Sequence, residues 1–388
     1  GQDSTFAGTV SAGTSTDSNG KGNFKYAPPA GFLAVCTANL ADPVETIDPN
    51  EGGSPQDYFN TVLYTGNGTT QDITGVGFQP DWIWFKRRSA VENHWLVDSV
   101  RGVTKGLYSN LTDAEATRTD QVTAFGADGF SLGDDGAGYS GIDGQTYASW
   151  NWKAGTAFSN DESATGVGSI DSSGSVNTDV GFSITTYTGT GSSMTWAHGL
   201  GVTPDLFIVK VLDRDDEWIL YPLAATGNLT NYVKLDQDNA FSSDTALETA
   251  NSTVLGFGSS GARNGSGDPY ICYAFAEVGG YSKFGKYTGN GNTDGTFIYT
   301  GFRPAWVMVK RTDASGHWAI GDTKRLGYNV DNNPVYANLT NVEGTDDWID
   351  FVSNGFKIRA STGDFNTDNG TYIFLAFAEQ PFKYSNAK

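Results

Sequence analysis

Cysteine, histidine and positive charge are scarce in this sequence. Only Cys36 and Cys272 stand among 388 residues, too few and too far apart to supply a disulfide framework. Cys272 lies in an apolar run, where a thiol behaves as a small hydrophobe. The three histidines, His94, His198 and His317, have no Cys or second His at ligand spacing, so zinc has no binding pattern and a structural or surface role is expected for each. Against 44 acidic side chains there are 24 basic ones, and the isoelectric point is near 4.3. Such an exterior repels nucleic acid and disfavours docking on anionic membranes. No apolar run approaches the roughly 18 residues of a spanning helix, so membrane insertion is not expected. A Gly-x-Ser-x-Gly elbow is missing, and no carboxylate pair sits in the apolar setting that would tune it for glycoside hydrolysis. These absences leave no catalytic residue to name, and a non-enzymatic protein is expected.

What the chain does have is glycine, 50 residues of it, together with 13% aromatic residues, the composition of many short strands joined by tight turns. It also repeats itself. GFQPDWIWFKRR at 77–88 returns as GVTPDLFIVKV at 201–211 and as GFRPAWVMVKR at 301–311. Each copy has a Gly, two further residues, a Pro (Pro80, Pro204, Pro304), and then a block of four apolar residues closed by Lys86, Lys210 or Lys310. An apolar run that short, entered through Pro, reads as a strand buried on both faces. YTGNG at 64, YTGTG at 187 and YTGNG at 287 precede the copies, and YASWNWKA from 147, YICYAFAE from 270 and YIFLAFAE from 372 follow them. Marks in one order at matched offsets define one module of about 100 residues in three divergent copies.

The expected fold is therefore all-β: three tandem β-sandwich, jelly-roll-like modules of five or six strands each, preceded by an extended arm. Residues 1–57 form the Gly/Ser-rich arm and connector, within which 31–40 (GFLAVCTANL) is the first stretch able to pack and 41–57 is polar. Modules are expected at 58–155, 181–280 and 281–388, with 156–180 a linker of Ser, Gly, Asp and Thr. The sequence starts at Gly with no signal peptide, so it is expected to continue a longer protein.

After the apolar block come HWLVDSVRG at 94, EWILYPLAA at 217 and HWAIGDTKR at 317. Trp95, Trp218 and Trp318 share the second place and are expected to be equivalent buried anchors. Trp82, Trp84, Trp150 and Trp306 read as core, whereas Trp196 and Trp348, in polar surroundings, are the candidates for exposed sugar-stacking platforms. Two loops could hold calcium, a hard cation that takes oxygen ligands. DFNTDNG offers Asp364, Asn366 and Asp368, and GDDGAGYSGIDG offers Asp134, Asp135 and Asp143. Neither has a Glu at the twelfth place, and Asp, Asn and Gly also favour turns for backbone reasons. No other cofactor is indicated.

These motifs, together with DVGFSITTYTGTG at 179 and the terminal YIFLAFAEQPFKYSNAK, resemble repeat modules of structural, tail-fibre-like proteins of marine tailed bacteriophages, including cyanophages. GNFKYAPPAGFLAVCTANL at 22–40 resembles the segment that follows a SPRY-like domain in such proteins. The resemblance implies a virion component on the tail or capsid exterior, either a receptor-binding fibre or a surface decoration. It also implies other virion proteins as partners and a host surface glycan as a candidate ligand. The repeated surface and the polar arm lead us to expect a homo-oligomer, a trimer if it is a fibre, held partly by residues 1–57 lying on a neighbouring subunit or virion protein. Module two departs from the pattern, lacking the His and carrying Ala225 in place of Arg-Gly. The alternatives are a carbohydrate-binding module of a bacterial surface adhesin and a polysaccharide depolymerase.

Overall fold

Each apolar block becomes a strand whose successive side chains point to opposite faces, and both faces are covered. The computed structural model describes residues 13–325, 329, 333–361 and 363–385. Module one contains β1 (Phe59–Thr65), β2 (Gln71–Thr74), β3 (Trp82–Arg87), β4 (Trp95–Asp98), β5 (Lys105–Leu107), β6 (Ala116–Thr117), β7 (Val122–Gly126), β8 (Gly129–Leu132) and β9 (Thr146–Trp152). Six of these form one antiparallel sheet in the order β1-β9-β3-β4-β5-β6, and β2-β8-β7 form a three-stranded second sheet. Ile83, Phe85 and Val97 from the large sheet pack with Ile73, Phe130 and Leu132 from the small one. This is the expected sandwich, with more strands than the expected five or six, because several are only two to four residues long and lie among polar turns.

Modules two and three repeat the plan. Module two holds β10 (Thr156–Asn160), β11 (Ser172–Asn177), β12 (Phe182–Thr188), β13 (Met194–Ala197), β14 (Leu206–Val211), β15 (Ile219–Tyr221), β16 (Asn231–Lys234), β17 (Ser242–Ser243), β18 (Leu247–Ala250), β19 (Val254–Phe257) and β20 (Pro269–Phe275). Module three holds β21 (Ser282–Thr288), β22 (Phe297–Tyr299), β23 (Phe302–Arg311), β24 (Ala319–Asp322), β25 (Val335–Tyr336), β26 (Ile349–Val352), β27 (Gly355–Ile358) and β28 (Thr371–Pro381). β12-β20-β14-β15-β16 and β21-β28-β23-β24-β25 reproduce the order of β1-β9-β3-β4-β5.

Two connecting stretches differ from expectation. Residues 156–180, read as a linker, form the hairpin β10–β11, which pairs with β12 and extends the module-two sheet. Backbone groups alone satisfy such a ladder, so a Ser/Gly composition does not prevent it. In the arm, the apolar stretch 31–40 stays outside with Phe32, Leu33 and Val35 exposed, while the polar connector docks and buries Ile47. Burial here follows where the connector crosses the body: Ile47 and Pro43 lie against Gly280, at the joint of modules two and three.

The modules are not beads on a string. Even-numbered residues of the blocks (Trp82, Trp84; Leu206, Ile208; Trp306, Met308) meet in one shared core, while odd-numbered ones (Ile83, Phe85; Phe207, Val209; Val307, Val309) fill the separate sandwiches. Trp82 stacks on Tyr273 of module two at 4.5 Å, and Trp152 meets Trp306 of module three edge-on at 5.7 Å. Phe275 of module two lies 5.7 Å from Phe377 of module three, which closes the circuit. Three large sheets thus face a common centre like the walls of a prism. Among the described residues, no helix is long and apolar enough to cross a membrane.

Candidate functional site

Side chains repeated in all modules are the first candidates for function, and the structure uses them to join one module to the next. Lys86 donates to the carbonyls of Glu92 and Thr340, Lys210 to that of Thr112, and Lys310 to those of Asp238 and Asn239. Module one therefore reaches module three, two reaches one, and three reaches two. Burial pulls each ammonium group down to about 8, opposed by nearby carboxylates such as Glu92, Asp216 and Asp238.

Beside each lysine stands a ring with one N–H. Trp218 donates to the Tyr108 carbonyl and Trp318 to the Lys234 carbonyl, both at 2.8 Å. In module one the same place belongs to His94, whose Nε2 lies 3.0 Å from the Tyr336 carbonyl while its Nδ1 accepts from Trp84. Burial drives the His94 pKa well below its ordinary value, which keeps the ring neutral. The expected equivalence of Trp95 with Trp218 and Trp318 is thereby corrected. Trp95 pairs with Phe85, whereas Val209 and Val309 pair with Ile219 and Ala319, one residue after the tryptophans. A slip of one residue turns a strand side chain to the other face, so Trp95 is buried within its own sandwich, stacked on Tyr139 at 5.4 Å. Pro80, Pro204 and Pro304 are all buried, and Pro304 sits in β23 at a register shift, where a missing N–H is tolerated.

Two of the three module boundaries also carry a buried ion pair. Arg101 binds Asp98 at 2.6 Å and Glu115 at 3.1 Å, and Tyr273 of module two donates to Asp98. Arg325 repeats this with Asp322 and Glu343, and Trp150 of module one donates to Asp322. At the third boundary Ala225 replaces the arginine, and Leu375 holds the place of Tyr273 and Trp150. Pro222 stands in the place of Asp98 and Asp322, so acid, arginine and donor are absent together.

The YTG marks are a loop lock. Tyr64, Tyr187 and Tyr287 stack on Tyr147, Tyr270 and Tyr372 and donate to the carbonyls of Ser140, Arg263 and Phe365. A Cβ on Gly66, Gly189 or Gly289 would fall 2.2 to 2.3 Å from a carbonyl oxygen of the opposing loop, so only glycine fits. The calcium candidates lie in these same loops. Asp135 is buried and accepts from the N–H groups of Gly138, Ser140 and Gly141. Asn366 accepts from Asn290 N–H and donates to Asn290 Oδ1 and the Asn292 carbonyl, and Asp364 accepts from His317 N–H. Asp134 is exposed, and the Cβ atoms of Asp143 and Asp368 lie against Gly68 and Gly291. Among the described residues, no three His, Cys, Asp or Glu side chains are placed to share an ion. Trp196 and Trp348 are buried too, stacked on Tyr187 and Phe365 at 4.2 and 4.8 Å. The exposed polar neighbours, Ser192 and Ser193 before Trp196 and Asp346 and Asp347 before Trp348, do not report the burial of the rings that follow them.

The surface features that sequence reasoning missed are on module three. Phe297 and Tyr299 of β22 are 46% and 57% exposed. Beside them, between β21 and β22, runs a groove of about 410 Å³ lined by Lys283, Gly285, Lys286 and Phe374. A second hollow of about 460 Å³ shares Lys283 and Tyr299 and is walled by connector residues from Leu40 to Val44. Only the alternation in TFIYT around Ile298 could have signalled that two aromatics face outward.

Residues 54–381 match the model of a family described as a domain of unknown function, DUF7483. The chain belongs to that family. No curated protein matches the chain. The DUF7483 match starts at Ser54, which caps the 3-10 turn before β1, and ends at Pro381, the last residue of β28. The family unit is thus the whole three-module body, and the arm lies outside it.

Proposed function

We propose that the chain is a structural component of a tailed-bacteriophage virion, a tail-fibre or surface-decoration part that acts by multivalent binding and performs no reaction. One observation carries this reading. The residues repeated in the modules, namely the lysines, the paired tyrosines and the motif glycines, are consumed in closing the body, which leaves the exterior of the body to carry function in this reading. Weak contacts made by many copies gain about 10² to 10⁴ in avidity without any new contact, which suits a rigid unit carried on a particle exterior. Its partners in this reading are other virion proteins, further copies of itself and a host surface glycan. Immunogold labelling of purified particles with an antibody to the chain is the test: label on the tail or capsid exterior is expected, and unlabelled particles overturn the proposal.

A second reading, a carbohydrate-binding module of an adhesin or depolymerase, is favoured by the partly exposed Tyr139, which stacks on Trp95 with Arg118 6.0 Å from its ring. A glycan array separates the two, since binding lost in Tyr139→Ala, with native circular dichroism, by a protein absent from particles would favour this second reading.

A further inference from the structure

The module-two hairpin shows what the flank of a module accepts. β11 pairs with the outer edge of β12 along its whole length. The same insertion bridges to the small sheet, where Ser169 N–H donates to the Thr195 carbonyl and Ser172 Oγ to the Ala197 carbonyl. Large and small sheets are thus sewn together on that side. β1 and β21 are the corresponding strands of the other modules, and each is the last strand of its sheet.

An open edge is a template for another strand, and proteins protect such edges with charge. Module one follows that rule: by register with β8, Asp72 and Thr74 hold the outward places and both are exposed. In module three the same register against β27 places Phe297 and Tyr299 there. Where module two is covered and module one is polar, module three is aromatic. On β21 the Ser282 and Phe284 N–H groups are taken by the Val278 carbonyl and Glu277 Oε1. Lys286 and Thr288 face outward beyond them, and a groove of about 410 Å³, lined also by Ala224 of module two, runs along this edge.

The chain also carries an exposed apolar segment outside any strand, whose Phe32, Ala34 and Cys36 N–H groups are bonded locally. In residues 31–36 (GFLAVC), Phe32 is 68% and Val35 97% exposed. The Asp17 carboxylate holds this segment outward by accepting from Ala34 N–H at 2.8 Å and Asn39 Nδ2 at 2.7 Å, while also binding Asn19 and Lys21 N–H. Within one copy the segment leaves its large side chains in solvent. The connector that follows runs beside Lys283 and Tyr299, so donor segment and acceptor edge issue from one corner of the molecule.

We propose that the β21 edge of module three is a strand-accepting site, and that its occupant is the arm segment 31–36 of a second copy. The main chain of the segment pairs with the Lys286–Thr288 end of β21, beyond the Glu277 contact, while Phe32 or Leu33 covers Phe297 and Tyr299, the mode of strand addition in which backbone bonds give affinity and side-chain pockets give selectivity. This deepens the reading of the chain as a self-assembling particle component and rests on it for its biological setting.

The native Cys36 is exposed and free, and Cys272 is buried, so one engineered thiol makes the test. In the full chain carrying Lys286→Cys, mild oxidation is expected to join copies through Cys36, giving disulfide-linked species on a non-reducing gel. That product should be lost on adding Cys36→Ser or Tyr299→Asp, each checked for native circular dichroism. Asp72→Cys on the polar module-one edge is the control and should yield little product. The unmodified chain should sediment with a concentration-dependent mass above its 41.3 kDa. A mass of one chain at every concentration, or equal cross-linking at Asp72→Cys, overturns the proposal, including the case in which a foreign strand fills the groove. Particle labelling is unaffected by that outcome, so failure of the arm contact and failure of the virion reading are distinguishable.

Discussion

Lys86, Lys210 and Lys310 bring an ammonium group to an apolar boundary, and beside each stands a ring offering one N–H: His94, Trp218 or Trp318. What the position requires is a planar ring with a donor at its far end, and imidazole meets that as indole does. Trp218→Ala removes both bulk and donor and is expected to cost about 3–5 kcal/mol of unfolding free energy in urea titrations. Trp218→His should cost measurably less, which simple loss of volume would not give. The Asp98–Arg101 pair supplies a second residue-scale outcome. Arg101→Ala leaves Asp98 buried with only the Tyr273 hydroxyl and the residue-101 N–H, and breaking such a pair costs about 3–5 kcal/mol.

At the scale of elements, the loops before the closing strands are held by their own hydrogen bonds. Chelation by EDTA is accordingly expected to leave the melting temperature unchanged. The test is sensitive, because calcium at about 100 times its dissociation constant would add roughly 2.7 kcal/mol. The arm behaves differently, since its order depends on one ionised group. Burial alone would raise the Asp17 pKa, but hydrogen bonds from Ala34, Lys21, Asn39 and Asn19 outweigh it and lower the carboxyl from 3.8 to about 2. A depressed carboxylate contributes stability above its unfolded pKa and loses it as pH falls through the folded one. The arm should therefore loosen between about pH 4 and 2, seen as faster amide exchange at Ala34 while the sandwich cores stay protected.

For the whole molecule, the shared core decides cooperativity. Trp82, Ile208 and Met308 belong to different modules and to one core, so no module can open without exposing the inner face of the next. One unfolding transition is expected, coincident by tryptophan fluorescence and near-ultraviolet circular dichroism. Three separable melts would mean that the modules stand alone. Module two excised as residues 181–280 should not fold stably, because Phe182, Ile184 and Tyr273, buried in the shared core, would become an apolar surface.

The all-β class, the count of three modules and the strands of the Pro-entered blocks were determined by the sequence itself, because repeats and period-2 burial are written in local order. The Tyr and Gly of the YTG marks could be located the same way, though not what they do. Tertiary structure alone decided the rest. Trp95 and Trp218 hold the same place in their motifs, and only strand pairing shows that one residue of register sends them to opposite faces. Ile47 is an isolated apolar residue in a polar connector, yet it is buried because the chain crosses the joint of modules two and three at that point. The polar 156–180 became a hairpin because β12 had an edge to fill. In each case the deciding partner lies far off in the chain, and register and proximity between distant segments leave no trace in local order.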